Sequence, residues 1–240
     1  MDKLSINTHI SRQFNAELED IRQHVLTMGG LVEEQISDAV KALVDGDGAL
    51  GEEVITRDAE VNRMEVFIDE ACSHILVRRQ PTASDLRLIV AVIKTITDLE
   101  RIGDEAEKIA RMGVHLASQD RPQGAYAELA QLGSYVRNMV HGALDAFARL
   151  DAGNALEIAK SDEHVDRKYE AMMRQSITFM MEDPRTIRRM LDILWSVRAL
   201  ERIGDHSRNI CEYVIYLVHG KDVRHITLEE MEKEVRNPRQ

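Results

Sequence analysis

Aromatic residues make up only 4% of this 240-residue chain, and there are just four Pro and two Cys. With so little proline and aromatic surface, and with Leu, Ile, Val, Ala, Met, Glu and Arg dominant, the composition reads as all-helical. The length suits one large domain or two small ones. Cys72 and Cys211 stand alone with no CxxC spacing, which points to two reduced, buried thiols in a cytosolic protein. An excess of positive charge is also missing. The net charge is −11, so general nucleic-acid binding through a basic surface is excluded as a function class.

Long hydrophobic runs are absent too. The longest apolar run, Leu88 to Ile93, falls far short of the roughly 20 residues that span a bilayer, so any role at a membrane must come through a partner. Asp2, Glu17, Glu19 and Asp20 leave no apolar stretch for a signal peptide. No GxxxxGK[ST], GxSxG or HExxH occurs, which removes the phosphate-cradling loop and the common hydrolase signatures. None of the nine His follows a Glu by three residues, which argues against a ferritin-like di-iron oxidase.

What the chain does have is helical spacing. Phe14, Leu18, Ile21, Val25, Met28, Val32, Ile36, Ala39 and Leu43 step by three and four, giving a long first helix in which Gly29-Gly30 marks a close-packing point or irregularity. Asp45-Gly46-Asp47-Gly48 is a turn. A second helix carrying Val54, Val61, Met64, Ile68 and Ile75 runs to about Arg79, and a third runs from the Pro81-Thr82-Ala83-Ser84 break to about Ala117. The order then repeats. Helices are expected over about 125–149, 155–181 and 184–218, with Asp183 as the N-cap and Pro184 as the first residue of the last of them.

The repetition is literal at one place. Leu99-Glu100-Arg101-Ile102-Gly103-Asp104 returns as Leu200-Glu201-Arg202-Ile203-Gly204-Asp205. The same shift of 101 matches Arg87 with Arg188 and Ile109 with Ile210, while Asp58, Val61, Asn62 and Arg63 correspond to Asp162, Val165, Asp166 and Arg167. The simplest account is an internal duplication: six long helices in two pseudo-symmetric three-helix bundles, 1–121 and 122–220, and a charged flexible tail over 221–240 with one weak helix near 228–235. The two halves differ in charge, −10 over residues 1–120 and −1 over 121–240.

Each duplicated motif continues a stripe of apolar residues. Leu86, Ile89, Ile93 and Ile96 lead into Glu100 and Asp104; Ile187, Met190, Leu194 and Val197 lead into Glu201 and Asp205. Acids on a face meant for burial need a cation or a dense set of donors. Oxygen ligands four residues apart suit Mg²⁺, Mn²⁺, iron or Zn²⁺. Glu107 extends the first face, whereas Arg208 stands there in the second; Asp58 with Asn62, and Asp162 with Asp166, form similar ladders on the neighbouring helices. The competing reading pairs the acids with Arg63, Arg101, Arg167 and Arg202, or leaves them in solvent. Gly103 and Gly204 each lower helix stability by about 1 kcal/mol relative to Ala, which implies close approach of a neighbouring helix or a ligand.

Other constellations carry less. His164 and His206 read as surface histidines, with membership of a site in the second half as the alternative, Trp195 as a packing anchor, and Met172, Met173, Met180, Met181 and Met190 as core filler. Arg185, Arg188 and Arg189 form either an anion site at a helix start or a solvated face.

The duplicated motif resembles the paired acidic motifs of the PhoU family. So do Phe14-Asn15-Ala16-Glu17-Leu18, the segment Arg79 to Arg87, and Phe179-Met180-Met181-Glu182-Asp183. The resemblance implies two three-helix bundles and no catalysis. It implies a negative regulator of the phosphate-starvation response and modulator of phosphate uptake, linking the ATPase of a phosphate ABC transporter to a membrane sensor histidine kinase. Carried over, the metal ligands are Glu100, Asp104, Glu201 and Asp205, with Asp58, Asn62, Asp162 and Asp166 as further candidates. A cytoplasmic homodimer is the accompanying expectation. From a different class, clustered carboxylates could serve a metal-dependent hydrolase or oxidase, and a third reading is a helical adaptor whose acids bind no metal.

Overall fold

The computed structural model describes residues 3–79, 81–118 and 123–236, the side chains of 3–11 and 123–125 excepted. Among these residues there is no strand. The helices are α1 (Lys3–Asp45), α2 (Gly48–Arg79), α3 (Ala83–Leu116), α4 (Gln123–Arg149), α5 (Ala152–Glu182), α6 (Ile187–His219) and α7 (Leu228–Arg236), with a short 3-10 turn at Pro184–Thr186 before α6. The all-helical expectation is met. The boundary placed between residues 121 and 122 lies outside the described residues.

Local chemistry explains most helix ends. Asp47 accepts from the Leu50 N–H at the start of α2, and Asp151 accepts from the Asn154 N–H at the start of α5. Asp183 accepts from the Arg185 N–H, and Pro184 opens the turn into α6. Gly220 stops α6 in the left-handed conformation, which a side chain would strain.

The apolar spacing of α1 is what the core uses: Ile21, Val25, Met28, Val32, Ile36, Ala39 and Leu43 are all buried. Helices α1, α2 and α3 pack on one another, as do α4, α5 and α6, and the two trios join along α1 with α4 and α3 with α6. The resulting hydrophobic core is continuous from Leu18 to Met231.

The joint is pseudo-twofold. A Cβ at Gly29 of α1 would stand 2.5 Å from Leu144 of α4, and one at Gly133 of α4 would stand 2.7 Å from Val40 of α1. Gly29 and Gly133 are 104 residues apart, and so are Val40 and Leu144. Each half therefore offers the same glycine to the same partner position, as in an isologous dimer interface.

Three expectations fail. The charged tail is not loose over residues 221–236: Val223 and Met231 are fully buried, and α7 lies against α5. Thr227 and Glu230 explain why the helix forms, since the Thr227 hydroxyl accepts from the Glu230 N–H and the Glu230 carboxylate accepts from the Thr227 N–H. Trp195 is not a packing anchor either, and is 65% exposed. Among the methionines, Met172 and Met190 are core residues, but Met181 is exposed.

Two acidic faces as the candidate metal centre

Leu99 and Gly103, not Glu100 and Asp104, hold the buried centre of α3. Each step of four residues advances about 40° around a helix beyond a full turn, so a stripe continued from Ile96 drifts toward the edge. Glu100 and Asp104 are accordingly half-buried on the margin facing α2. On α6 the equivalent pair splits: Glu201 is buried and Asp205 is exposed. The expectation of acids directly in the core stripe therefore holds for Glu201 alone.

The glycines of the duplicated motif mark where the neighbouring helix comes closest. An ideal Cβ on Gly103 would lie 3.2 Å from Asp58 Oδ1 and 3.2 Å from Gln35 Oε1. One on Gly204 would lie 3.0 Å from Asp162 Oδ1. Absence of a side chain thus lets an aspartate of α2 or α5 rest on the backbone of α3 or α6, where the paired acids follow.

On the first face Asp58 is buried and accepts from Asn62 Nδ2 at 3.0 Å and Gln35 Nε2 at 3.5 Å. Burial raises its pKa, and the negative charges of Glu107 and Asp104 raise it further. Burial also raises Glu100, with Asp104, Glu65 and Asp58 adding to the effect. Five acids from two helices, Asp58, Glu65, Glu100, Asp104 and Glu107, therefore act on one another as one cluster.

The second face has the same plan. Burial pushes Asp162 up to about 7, with Asp205 and Asp166 contributing. Glu201 is raised by burial first and by Asp205 next; Asp205, at the solvent edge of the face, is raised in the same direction by partial desolvation and by Asp166. Here arginines intervene. Arg198 donates to Glu201 at 2.5 Å, and Arg208 stands 3.7 Å from Asp162 Oδ2.

The donor set fits a hard cation. Asp162 Oδ1 and Glu201 Oε2 are buried carboxylate oxygens with no hydrogen-bond partner, and Gln35 Oε1 and Asn62 Oδ1 are unpartnered acceptors beside Asp58. Buried oxygens without donors, on acids that resist ionising, are the groups a bound cation would satisfy. Among the described residues, no three His, Cys, Asp or Glu side chains already converge tightly enough to hold a metal ion. Taking up an ion would thus require these side chains to draw together.

The arginine pairing proposed from sequence is redistributed. Arg167 pairs with Glu163, and Arg202 crosses to Glu105 of α3 at 2.7 Å, so neither pairs with its motif acid. Arg185 donates to Asp183 beside it in the chain, and Arg188 donates to His115 of α3, so both have partners within the fold. His164 is half-buried with its ring 4.6 Å from that of Tyr135. His206 is no surface residue: it is buried in the α3–α6 joint with Nδ1 2.7 Å from Asp98 Oδ1, and Asn209 donates to the same oxygen at 3.1 Å. Both thiols are free and buried, with Cys72 pushed up to about 12 and Cys211 also raised by burial, so neither offers a thiolate nucleophile.

Gln35, Glu65 and Arg198 were missed in the sequence. Gln35 had a signal, as a polar residue set within the apolar spacing of α1 beside Ile36. Glu65 follows Asn62 by three residues, extending the step of four from Asp58 to Asn62 along the same face. Nothing marked Arg198, whose position corresponds to Thr97 in the first repeat.

Fold and site together define a duplicated helical-bundle protein with one carboxylate face per repeat. The PhoU domain family matches residues 25–112 and again 129–214, and the chain belongs to that family. Among curated relatives, the "Phosphate-specific transport system accessory protein PhoU homolog" of Pseudomonas aeruginosa is 56% identical over 239 residues, covering 100% of this chain and 99% of that protein. The "Phosphate-specific transport system accessory protein PhoU" of Escherichia coli (strain K12) is 51% identical over 97% of this chain and 96% of its own. Of the solved structures, PhoU from P. aeruginosa superposes with a TM-score of 0.84 at 56% identity, covering 87% of this chain and 100% of that one. The phosphate transport system regulatory protein PhoU from Streptococcus pneumoniae superposes with a TM-score of 0.82 at 32% identity, covering 88% and 99%. Membership of this family supports a role in the regulation of phosphate transport.

Proposed function

We propose that this protein is a negative regulator of the phosphate-starvation response and a modulator of phosphate uptake. It works in the cytoplasm as a non-catalytic adaptor, a homodimer that links the ATPase of a phosphate ABC transporter to a sensor histidine kinase. The observation that carries the reading is full-length similarity to the phosphate-specific transport accessory proteins. No helix among the described residues is long and apolar enough to cross a membrane, so contact with membrane components runs through those partners.

An adaptor needs surface that its own fold leaves open. Ile187, Leu191 and Trp195 follow one another at steps of four along α6 and are all exposed, with Phe179 and Met181 exposed at the end of α5. Arg198 and Arg202 lie one and two turns beyond Trp195, in a groove of about 390 Å³ that Glu105, Lys108 and Met112 line from α3. Trp and Arg around a groove are the side chains that most often dominate protein interfaces.

The acidic faces bind iron, zinc, magnesium or manganese in this reading. Glu100 and Asp104 hold the ion with Asp58 and Asn62; Glu201 and Asp205 do so with Asp162 and Asp166. The ion supplies positive charge that offsets repulsion among carboxylates, favouring the state in which the helices are drawn together. A strain lacking its own copy and carrying a phosphate-starvation promoter fused to a reporter tests the regulatory role. Expression of this chain should silence the reporter in high phosphate, and the protein should co-purify with the ATPase and the kinase. A reporter that stays on with the protein present at normal level would sink the reading.

A further inference from the structure

The two faces share a plan but not a charge. At the equivalent of Glu107 stands Arg208, and at the equivalent of Arg111 stands Glu212. The result is a four-residue ion pair of reversed polarity. In the first repeat Arg111 pairs with Glu107 at 2.5 Å and is exposed, and the Glu107 carboxylate acts on Asp58. In the second, Arg208 lies 3.4 Å from Glu212 and reaches across to Asp162 of α5.

Two further differences act in the same direction. Thr97 corresponds to Arg198, and Glu65 to Tyr169. Arg198 stands over the Tyr169 ring, 5.6 Å from its centroid, while donating to Glu201. The first face thus gathers five acids around unpartnered amide oxygens of Gln35 and Asn62, with Gln35 only 2% exposed, while Arg101 and Arg111 act on Glu100 and Asp58 through space from exposed positions. The second gathers Asp162, Asp166, Glu201 and Asp205 around two guanidinium groups that its own helix supplies. Coulomb attraction for an incoming cation scales with the local charge, and a fixed guanidinium both lowers that charge and competes for the same oxygens.

We propose that Arg198 and Arg208 are built-in counter-ions of the second bundle, so that a divalent cation loads the first face in preference to the second. The first bundle is then the cation-responsive half, and the second is held in its packed state by its own arginines. This inference rests on the metal-binding reading above and adds the order of loading and the residues that set it.

Mn²⁺ titration of the full chain at pH 7, with free Mn²⁺ followed by its paramagnetic resonance signal, tests it. The wild type should show one tight equivalent. Glu100→Gln with Asp104→Asn should abolish that phase, whereas Glu201→Gln with Asp205→Asn should leave it intact. Arg208→Glu with Glu212→Arg, which gives the second repeat the polarity of the first, should create a second tight phase about tenfold or more stronger than the residual binding there. Arg198→Thr, at an exposed position, provides the same test with little risk to folding, and helical circular dichroism verifies each variant. A tight phase that follows Glu201 and Asp205, two indistinguishable phases, or no change on removing either arginine overturns the inference while the metal reading stands. A wild type that takes up no Mn²⁺ at either face overturns the metal reading and the inference with it.

Discussion

His206 Nδ1 lies 2.7 Å from Asp98 Oδ1 in the joint between α3 and α6, where Asp98 is 2% exposed and His206 7%. The pair joins the two repeats without being repeated itself, since Ala199 stands where the pseudo-symmetry would place a second aspartate and Glu105 where it would place a second histidine. Removing one member of a buried pair strands the other without a partner. Asp98→Ala should therefore destabilise the fold by about 3–5 kcal/mol in urea denaturation. The double variant with His206→Ala should lose less than the sum of the single changes. Strict additivity would mean that the two side chains are not coupled.

Gly103→Ala and Gly204→Ala set helix propensity against packing. Alanine would gain about 1 kcal/mol in an open helix. Here its Cβ would stand 3.2 Å from Asp58 Oδ1 or 3.0 Å from Asp162 Oδ1. Overpacking should win, destabilising each variant by about 1–3 kcal/mol, with Gly204→Ala the worse of the two. Thermal melts of both would decide, and a gain in stability would show that the helices can move apart freely.

The acids give the metal-free protein a distinctive pH dependence. The Asp162 carboxyl is raised from 3.8 to about 7, so the folded state holds its proton more tightly than the unfolded chain. Its stabilising contribution is complete below about pH 4 and is lost as pH rises through about 7. Stability measured from pH 4 to 8 should fall across that window, and Asp162→Asn should flatten the fall. An unchanged slope in the variant would assign the effect to other groups.

Met231 seals α7 to the body of the protein and is fully buried. Met231→Ala should cost about 2–4 kcal/mol if α7 unfolds together with the core. Amide hydrogen exchange would show whether α7 instead opens alone, in which case global stability would stay near the wild-type value while protection over 228–236 disappears.

Trp195, the single tryptophan, is exposed, so Trp195→Ala should leave stability within about 0.5 kcal/mol of the wild type. The same variant should weaken co-purification with the transporter ATPase or the kinase. Unimpaired association with both would remove this face of α6 from partner binding.

Much of this was legible in the chain itself. Six helices, their approximate ends and the internal duplication follow from local chemistry and short-range spacing: apolar steps of three and four, Asp before a helix start, Gly after a helix end. The four motif acids and their ladder partners were readable for the same reason, because residues four apart share a helix face whatever the rest of the fold does. The match between Gly103 and Gly204 even predicted close approach, and Asp58 and Asp162 are what approaches.

Tertiary packing decided the rest. Periodicity gives a face but not its angle to a neighbour, so only the packed helices could show Glu201 buried and Asp205 exposed from identical motifs. Long-range pairs such as Asp98 with His206 and Glu105 with Arg202 span about a hundred residues and leave no local trace. Trp195 and Met231 reversed their expected places because burial depends on which surface another element covers: α7 covers one side of α5, whereas α3 meets the start of α6 through His115 with Arg188 and Asp192 and leaves Trp195 open. The sequence by itself determined the helices and the duplicated acidic motif, through interactions within a turn or two of chain. Which acids meet, which arginines reach them and which apolar residues remain open was settled only when six helices had to share one core.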